Sequence, residues 1–226
     1  MADYVLVHGA WAGGWTYDRL ARELTERGHR VVVAQLAGLG SRKDGLNPAI
    51  DLTTHINDVL GQIAAAGFDR FILCGHSYGG MVITGVAASL GARIDAICYI
   101  DAFLPAHDQS LWDITGDYEH RWYIDTQKHS PGLVAPIGGE ALLRMPGMGR
   151  HPLLTLTEAV QLTGEEKKIP RHVYIFAGEW QPTPFPRFRD KVKGDPQWEL
   201  HEVGGGHNVM ADQPEKLLEI VLALAR

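Results

Sequence analysis

The segment Gly75-His76-Ser77-Tyr78-Gly79 constrains this chain more than any other. It follows an apolar run, Phe71-Ile72-Leu73-Cys74, and it opens a helical pattern, Gly79-Gly80-Met81-Val82-Ile83. A serine in G-x-S-x-G between a strand and a helix stands on a sharp, strained turn, with its hydroxyl lifted over the edge of a sheet. Side chains two residues before and after it would collide, which accounts for Gly75 and Gly79. The helix N-terminus behind Ser77 adds partial positive charge where an oxyanion develops. A bare pentapeptide would leave open a chance turn containing a serine. The flanking strand and helix weigh against that.

The rest of the chain repeats the strand–helix alternation. Apolar runs fall at Tyr4–Val7, Arg30–Leu36, Arg70–Cys74, Ala96–Ile100, His172–Phe176 and Trp198–Val203. The first five are nearly continuous in large apolar residues, as strands buried on both faces are. Between them, helices are expected over Trp15–Arg27, Leu52–Ala66 and Gly79–Leu90, followed by Gly28, Gly67 and Gly91 in turn. A closing helix is expected from Asp212, with Asp212 and Glu215 at the spacing of a capping box. This pattern predicts a mostly parallel six-stranded sheet with helices on both faces and right-handed crossovers. From Leu104 to Arg171 no strand is convincing, and the segment is rich in Gly, Pro, His, Trp and Tyr. Structureless stretches of that length in compact domains are usually lids or binding segments. A single domain over residues 1–226 is therefore expected, with a small helical cap inserted at about 104–171.

Acyl transfer needs two oxyanion donors. One is the backbone N–H after the nucleophile, here that of Tyr78. The other comes from a loop after an early strand, and Val7-His8-Gly9-Ala10-Trp11-Ala12-Gly13-Gly14-Trp15 supplies one, with Ala10 as donor. This loop lacks the spacing of either phosphate-binding glycine motif. His8 reads as a structural residue that fixes the loop. A general base is needed after the last strand, and Gly204-Gly205-Gly206-His207 provides it: three glycines allow a tight loop that returns the imidazole across the sheet. Any single histidine is by default a surface or core residue; the location of His207 between the final strand and the final helix favours catalysis.

With these motifs in hand, residues up to about 100 and from about 170 onward resemble the α/β-hydrolases that include plant methylesterases, the salicylate-binding esterase, hydroxynitrile lyases and bacterial esterases. The resemblance rests on Val7–Trp15, Gly28-His29-Arg30-Val31, Gly75–Met81 and Gly204–His207. It implies a catalytic triad, a two-amide oxyanion hole, a small cap over an apolar pocket and, in many members, a homodimer. The triad acid departs from the plant pattern. There it is an Asp on the loop after the strand corresponding to His172–Phe176, but here that loop, Ala177-Gly178-Glu179-Trp180, offers only Glu179. One strand earlier, Asp101 closes a fully apolar run, as in some haloalkane dehalogenases. Asp101 is the favoured acid and Glu179 the alternative; the competing reading of Asp101 is a helix or turn cap for the start of the lid.

Three functions fit the fold. The first is a carboxylesterase acting on small, largely apolar esters, with Ser77 as nucleophile, His207 as base and Asp101 as its orienting acid. Trp11, Tyr78, Phe103, Trp112, Trp122, Tyr123, Trp180 and Phe185 are the aromatic residues expected to line its pocket. The second is a hydroxynitrile-lyase-like C–C lyase. Such enzymes carry a Lys after the catalytic His and a Thr in the first loop, where this chain has Asn208 and Gly9. The third is a non-catalytic small-molecule-binding protein, which could have lost Ser, His or an oxyanion glycine; none is lost here.

A net charge of -6 and a pI near 6.0 argue against a nucleic-acid partner. No apolar run is long enough to span a bilayer, and no basic leader precedes Tyr4, so no membrane partner and a cytoplasmic location are expected. Eleven histidines form no H-E-x-x-H or similar pair, and the 2 cysteines, Cys74 and Cys98, both fall in strand-like runs. Neither a metal nor a cofactor is expected, and the thiols read as reduced, buried neighbours.

Overall fold

The computed structural model describes residues 1–180 and 182–225. In chain order the elements begin with β1 (Asp3–Val7), α1 (Asp18–Glu26), β2 (Arg30–Val33), α2 (Leu52–Ala66), β3 (Phe71–His76), α3 (Gly79–Leu90) and β4 (Ile94–Ile100). An irregular stretch follows with α4 (Asp117–Thr126), β5 (Leu133–Val134), β6 (His151–Pro152) and α5 (Leu154–Thr157). The chain closes with β7 (His172–Phe176), α6 (Phe185–Val192), β8 (Trp198–Glu202), α7 (Val209–Asp212) and α8 (Pro214–Ala223). Six strands form one sheet in the order β2-β1-β3-β4-β7-β8, each pair of neighbours parallel. The expected parallel six-stranded sheet is present. Among the described residues no helix is long and apolar enough to cross a membrane.

Strand alternation divides the interior into two cores, because successive side chains point to opposite faces. Val5, Leu73, Ile97, Tyr99 and Tyr174 pack with Val59, Val82, Val86 and Phe188 under α2, α3 and α6. Tyr4, Ile72, Cys74, Cys98 and Val173 pack with Leu20, Leu24, Leu217 and Val221 under α1 and α8. Strands covered on both faces need no polar side, so β3 is buried throughout. Helix ends follow local chemistry. Asp51 accepts from the Thr54 N–H at 2.8 Å to start α2, and Gly67 ends it with φ of 64°.

Four expectations change. The run Arg30–Leu36 leaves the sheet after Val33, because α2 side chains take over its backbone: Gln62 accepts from the Gln35 N–H and Asp58 from the Ala37 N–H. The helix expected from Trp15 begins as a tight 3-10 turn, Gly14–Tyr17, and becomes α1 only at Asp18. Asp212 does not cap the last helix. It closes α7 and accepts from the Gly206 N–H at 2.9 Å, while α8 starts at Pro214, a residue with no N–H to satisfy. Within 104–171 two very short strands do form, pairing antiparallel as Leu133 with Pro152 and Val134 with His151. Two-residue strands carry no periodicity for a sequence to display.

Cys74 and Cys98 are register partners on β3 and β4, both buried and both free. A hydrogen bond with Cys74, reinforced by burial, holds the Cys98 thiol well above its usual range, so it resists forming the reactive thiolate. A thiol reagent should therefore find no reactive cysteine in the native protein and two per chain after denaturation without reductant. Finding none after denaturation would contradict this pairing of free thiols.

Candidate active site

Ser77 follows β3 directly, on a turn with φ of 55°. That left-handed conformation is strained for a residue with a side chain. Close packing of glycines makes the turn possible. A Cβ on Gly75 would lie 2.7 Å from the Gly79 carbonyl oxygen, and one on Gly79 would lie 2.6 Å from that of Val7. Backbone bonds hold the turn: the Ser77 N–H donates to the Ile100 carbonyl, and the Ser77 carbonyl accepts from Phe103 at 3.2 Å.

The next strand ends in the same way. Asp101, with φ of 41°, follows β4, and its N–H donates to Ile175 at 2.7 Å. Its carboxylate is only 2% exposed and spends both oxygens. Oδ1 accepts from the Ala177 N–H, and Oδ2 accepts from His207 Nδ1 at 2.7 Å. With its proton on Nδ1, His207 presents a bare Nε2 to the cavity it shares with Ser77. The His207 ring lies flat against Phe185, with centroids 5.0 Å apart, and against Trp180 at 4.6 Å. The Glu179 side chain is exposed, and its contribution to this loop comes from the backbone, through its N–H to Gly205. Ser77 Oγ makes no hydrogen bond to another described residue; catalytic contacts often tighten only when substrate arrives.

The loop after β1 lies against the nucleophile. A Cβ on Gly9 would meet the Ser77 Cβ at 3.0 Å. Among the described residues neither the Ala10 nor the Tyr78 N–H has a protein acceptor, and both residues line the cavity. Trp11 beside them also has a left-handed backbone, φ 62°. It is held three ways by residues that follow α4. Its N–H donates to His151 Nδ1, its carbonyl accepts from Gly149 at 2.8 Å, and its indole N–H donates to Val134 at 2.9 Å.

The cavity has a volume of about 390 Å³. Of the aromatic residues expected there, Trp11, Tyr78, Phe103, Tyr123, Trp180 and Phe185 line it. Trp112 and Trp122 do not. Trp112 stacks on His120 at 3.8 Å, and the Trp122 indole N–H is turned to the Ala135 carbonyl. Leu111, Ile137, Met145, Met148 and Leu156 line it unexpectedly, since apolar residues of an irregular segment have no period to reveal them. His76 was also missed. Its Nε2–H donates to the His207 carbonyl at 2.8 Å, and its ring lies 4.5 Å from the His207 ring, so the residue directly before Ser77 braces the histidine loop.

Four buried histidines surround this centre in neutral form. Burial lowers His8 to about 4 and holds His55, His76 and His151 below their ordinary range. Partners fix the tautomers. His8 Nδ1–H donates to Gly9, and His55 Nε2–H donates to Ala37 while its Nδ1 accepts from the Tyr78 hydroxyl. His151 Nε2–H donates to Thr155, whose hydroxyl donates to Pro152. A histidine kept neutral in the fold gives stability above its unfolded value near 6.5, and loses it as pH falls toward the folded value. Unfolding at pH 5 should take up at least about two protons, a loss on the order of 3 kcal/mol per pH unit. Denaturant titrations between pH 7 and pH 5 measure this; stability independent of pH in that window would show that these rings are not held neutral.

A model of the alpha/beta hydrolase family matches residues 4–220. The chain is 37% identical over 242 residues to a carbendazim hydrolyzing esterase from Nocardioides sp. (strain SG-4G), covering 99% of this chain and 100% of that protein. It is 26% identical over 255 residues to methylesterase 9 of Arabidopsis thaliana, covering 100% and 98%. An extracellular alpha/beta-hydrolase from a Paenibacillus species shares the fold, with a TM-score of 0.80 at 22% identity over 99% of each chain. Sheet order, strand-end turns and these matches agree: the chain belongs to the alpha/beta hydrolase family.

Proposed function

We propose that this protein hydrolyses small, largely apolar carboxylic esters through an acyl-enzyme on Ser77. Its relatives support ester hydrolysis: one is named for hydrolysing carbendazim and others are named methylesterases. The observation that carries the residue assignment is the 2.7 Å bond from His207 Nδ1 to the buried Asp101 carboxylate, beside the strained serine turn. Ser77 Oγ attacks the carbonyl while His207 Nε2 takes its proton, and Asp101 stabilises the imidazolium so formed. The Ala10 and Tyr78 amides receive the oxyanion. His207 then returns the proton to the departing alkoxide. In the second half, His207 activates a water that attacks the acyl carbonyl and restores the serine. The stacked Phe185 and Trp180 rings keep His207 facing the cavity.

Residues 104–171 serve in this reading as a cap on one domain spanning 1–226, supplying Leu111, Tyr123, Ile137 and Met145 to the pocket wall. The enzyme is proposed to work in the cytoplasm, a location supported by two unbridged thiols. Ser77→Ala should lower turnover of a 4-nitrophenyl ester by several orders of magnitude and abolish fluorophosphonate labelling, with the fold unchanged by circular dichroism. Asp101→Asn should lower turnover about 10³–10⁴-fold, because an amide favours the wrong imidazole tautomer. Glu179→Gln should stay within about twofold, as expected for an exposed side chain. A nearly dead Glu179→Gln beside an active Asp101→Asn would move the acid to the later loop.

A further inference from the structure

Among the described residues the cavity wall carries one acidic side chain, Glu119, and it is buried: 7% exposed, on α4, in a largely apolar pocket. Its Oε2 accepts from the Gly116 N–H at 3.0 Å. A glutamate three residues after a helix start often makes this bond, so the cap by itself indicates no ligand. Two further observations do. Among the described residues no cation pairs with Glu119, and the Gly116 N–H is its one hydrogen-bond donor, although a buried carboxylate normally requires more compensation. One turn on, Tyr123 lines the same wall at 2% exposure, and its hydroxyl also lacks a partner among the described residues. An acceptor and a hydroxyl thus lie four positions apart on one helix and line the same cavity.

We propose that Glu119 and Tyr123 form a recognition subsite for an uncharged N–H donor, and that the preferred substrates are apolar esters bearing an amide-type N–H. The proposal rests on the esterase reading of the cavity and names what that cavity selects. A neutral N–H fits better than an ammonium group. The surrounding wall of Leu111, Phe103 and Leu156 would strip an ammonium ion of its hydration, whereas an amide has far less hydration to lose. A carboxylate facing an N–H makes a charge-assisted hydrogen bond, and a substrate lacking that hydrogen leaves the carboxylate unpaired.

Binding to the Ser77→Ala variant reads this without requiring turnover. Methyl hippurate and methyl 4-oxo-4-phenylbutanoate differ only by N–H against CH₂ in the chain. Calorimetry should show methyl hippurate binding at least about tenfold tighter. Adding Glu119→Gln should reduce that preference to under about threefold. The single glutamine oxygen stays on the Gly116 N–H, so its amide hydrogens face the cavity and no acceptor remains for the ligand. Methyl 3-(benzylamino)propanoate, protonated at neutral pH, should bind more weakly than methyl hippurate. Equal binding of the two isosteres, or a preference that survives Glu119→Gln, would overturn the subsite. Tightest binding of the ammonium ester would overturn the assignment to an uncharged donor. An equal loss for both isosteres would reduce Glu119 to a helix cap. Loss of esterase activity across all substrates in the parent protein would count against the catalytic reading alone.

Discussion

The turns that leave β3 and β4 are hydrogen-bonded to each other. The Ser77 N–H reaches the Ile100 carbonyl, and the Ser77 carbonyl receives the Phe103 N–H. These two bonds join the residue after one strand to the residues around the end of the next. They can form only because the strands are parallel and paired in the register Cys74–Cys98 and His76–Ile100. The strand ends are then level, and Ser77 and Asp101 emerge side by side. His207 closes the arrangement from the far edge of the sheet, since the loop after β8 must cross β7 to reach Asp101. A change in the β3–β4 register would move Ser77 and Asp101 apart.

This geometry also makes room for the proposed acid, Asp101, one strand earlier than in the plant pattern. β4 and β7 are neighbours, with Ile100 beside Ile175. Asp101 therefore lies within reach of the loop that would otherwise supply the acid, and it uses that loop as a partner through the Ala177 N–H. The later loop is left to hold the histidine turn through its backbone, which leaves the Glu179 carboxylate free in solvent.

Legibility in the sequence followed the range of the forces involved. The bounds of α2, α3 and β7 were readable because caps, glycines and apolar runs act over a few residues. Ser77 and Asp101, at strand ends, and His207, in the loop after the last strand, stood out as candidates because each occupies a position in chain order that the topology defines. The end of β2 could not, since Gln62 and Asp58, far along the chain, decide it. Nor could the wall of the cavity. Trp112 and Trp122 have the right composition and the wrong direction, while Met145 and Met148 sit in a segment with no period. His76 and His151 gave no signal because their partners, the His207 carbonyl and the Trp11 N–H, are more than a hundred residues away.

Backbone strain marks the same place from a different direction. Only Trp11, Ser77, Asp101 and Asp108 adopt positive φ without being glycine among the described residues. The first three meet at the cavity or at the histidine that faces it. Each conformation costs on the order of 1–3 kcal/mol and persists only where its surroundings over-determine it. Those surroundings differ in origin. Ser77 and Asp101 are held by neighbouring strands, so the core of the sheet maintains them. Trp11 is held by His151, Gly149 and Val134, all from the irregular stretch after β4. The loop after β1 therefore depends on that stretch, and through His151 on a ring that must remain neutral to accept the Trp11 N–H. Pocket shape and the geometry of the proposed oxyanion loop are thereby tied to one segment, so sequence change there to suit a new substrate is limited by the need to keep Trp11 in place.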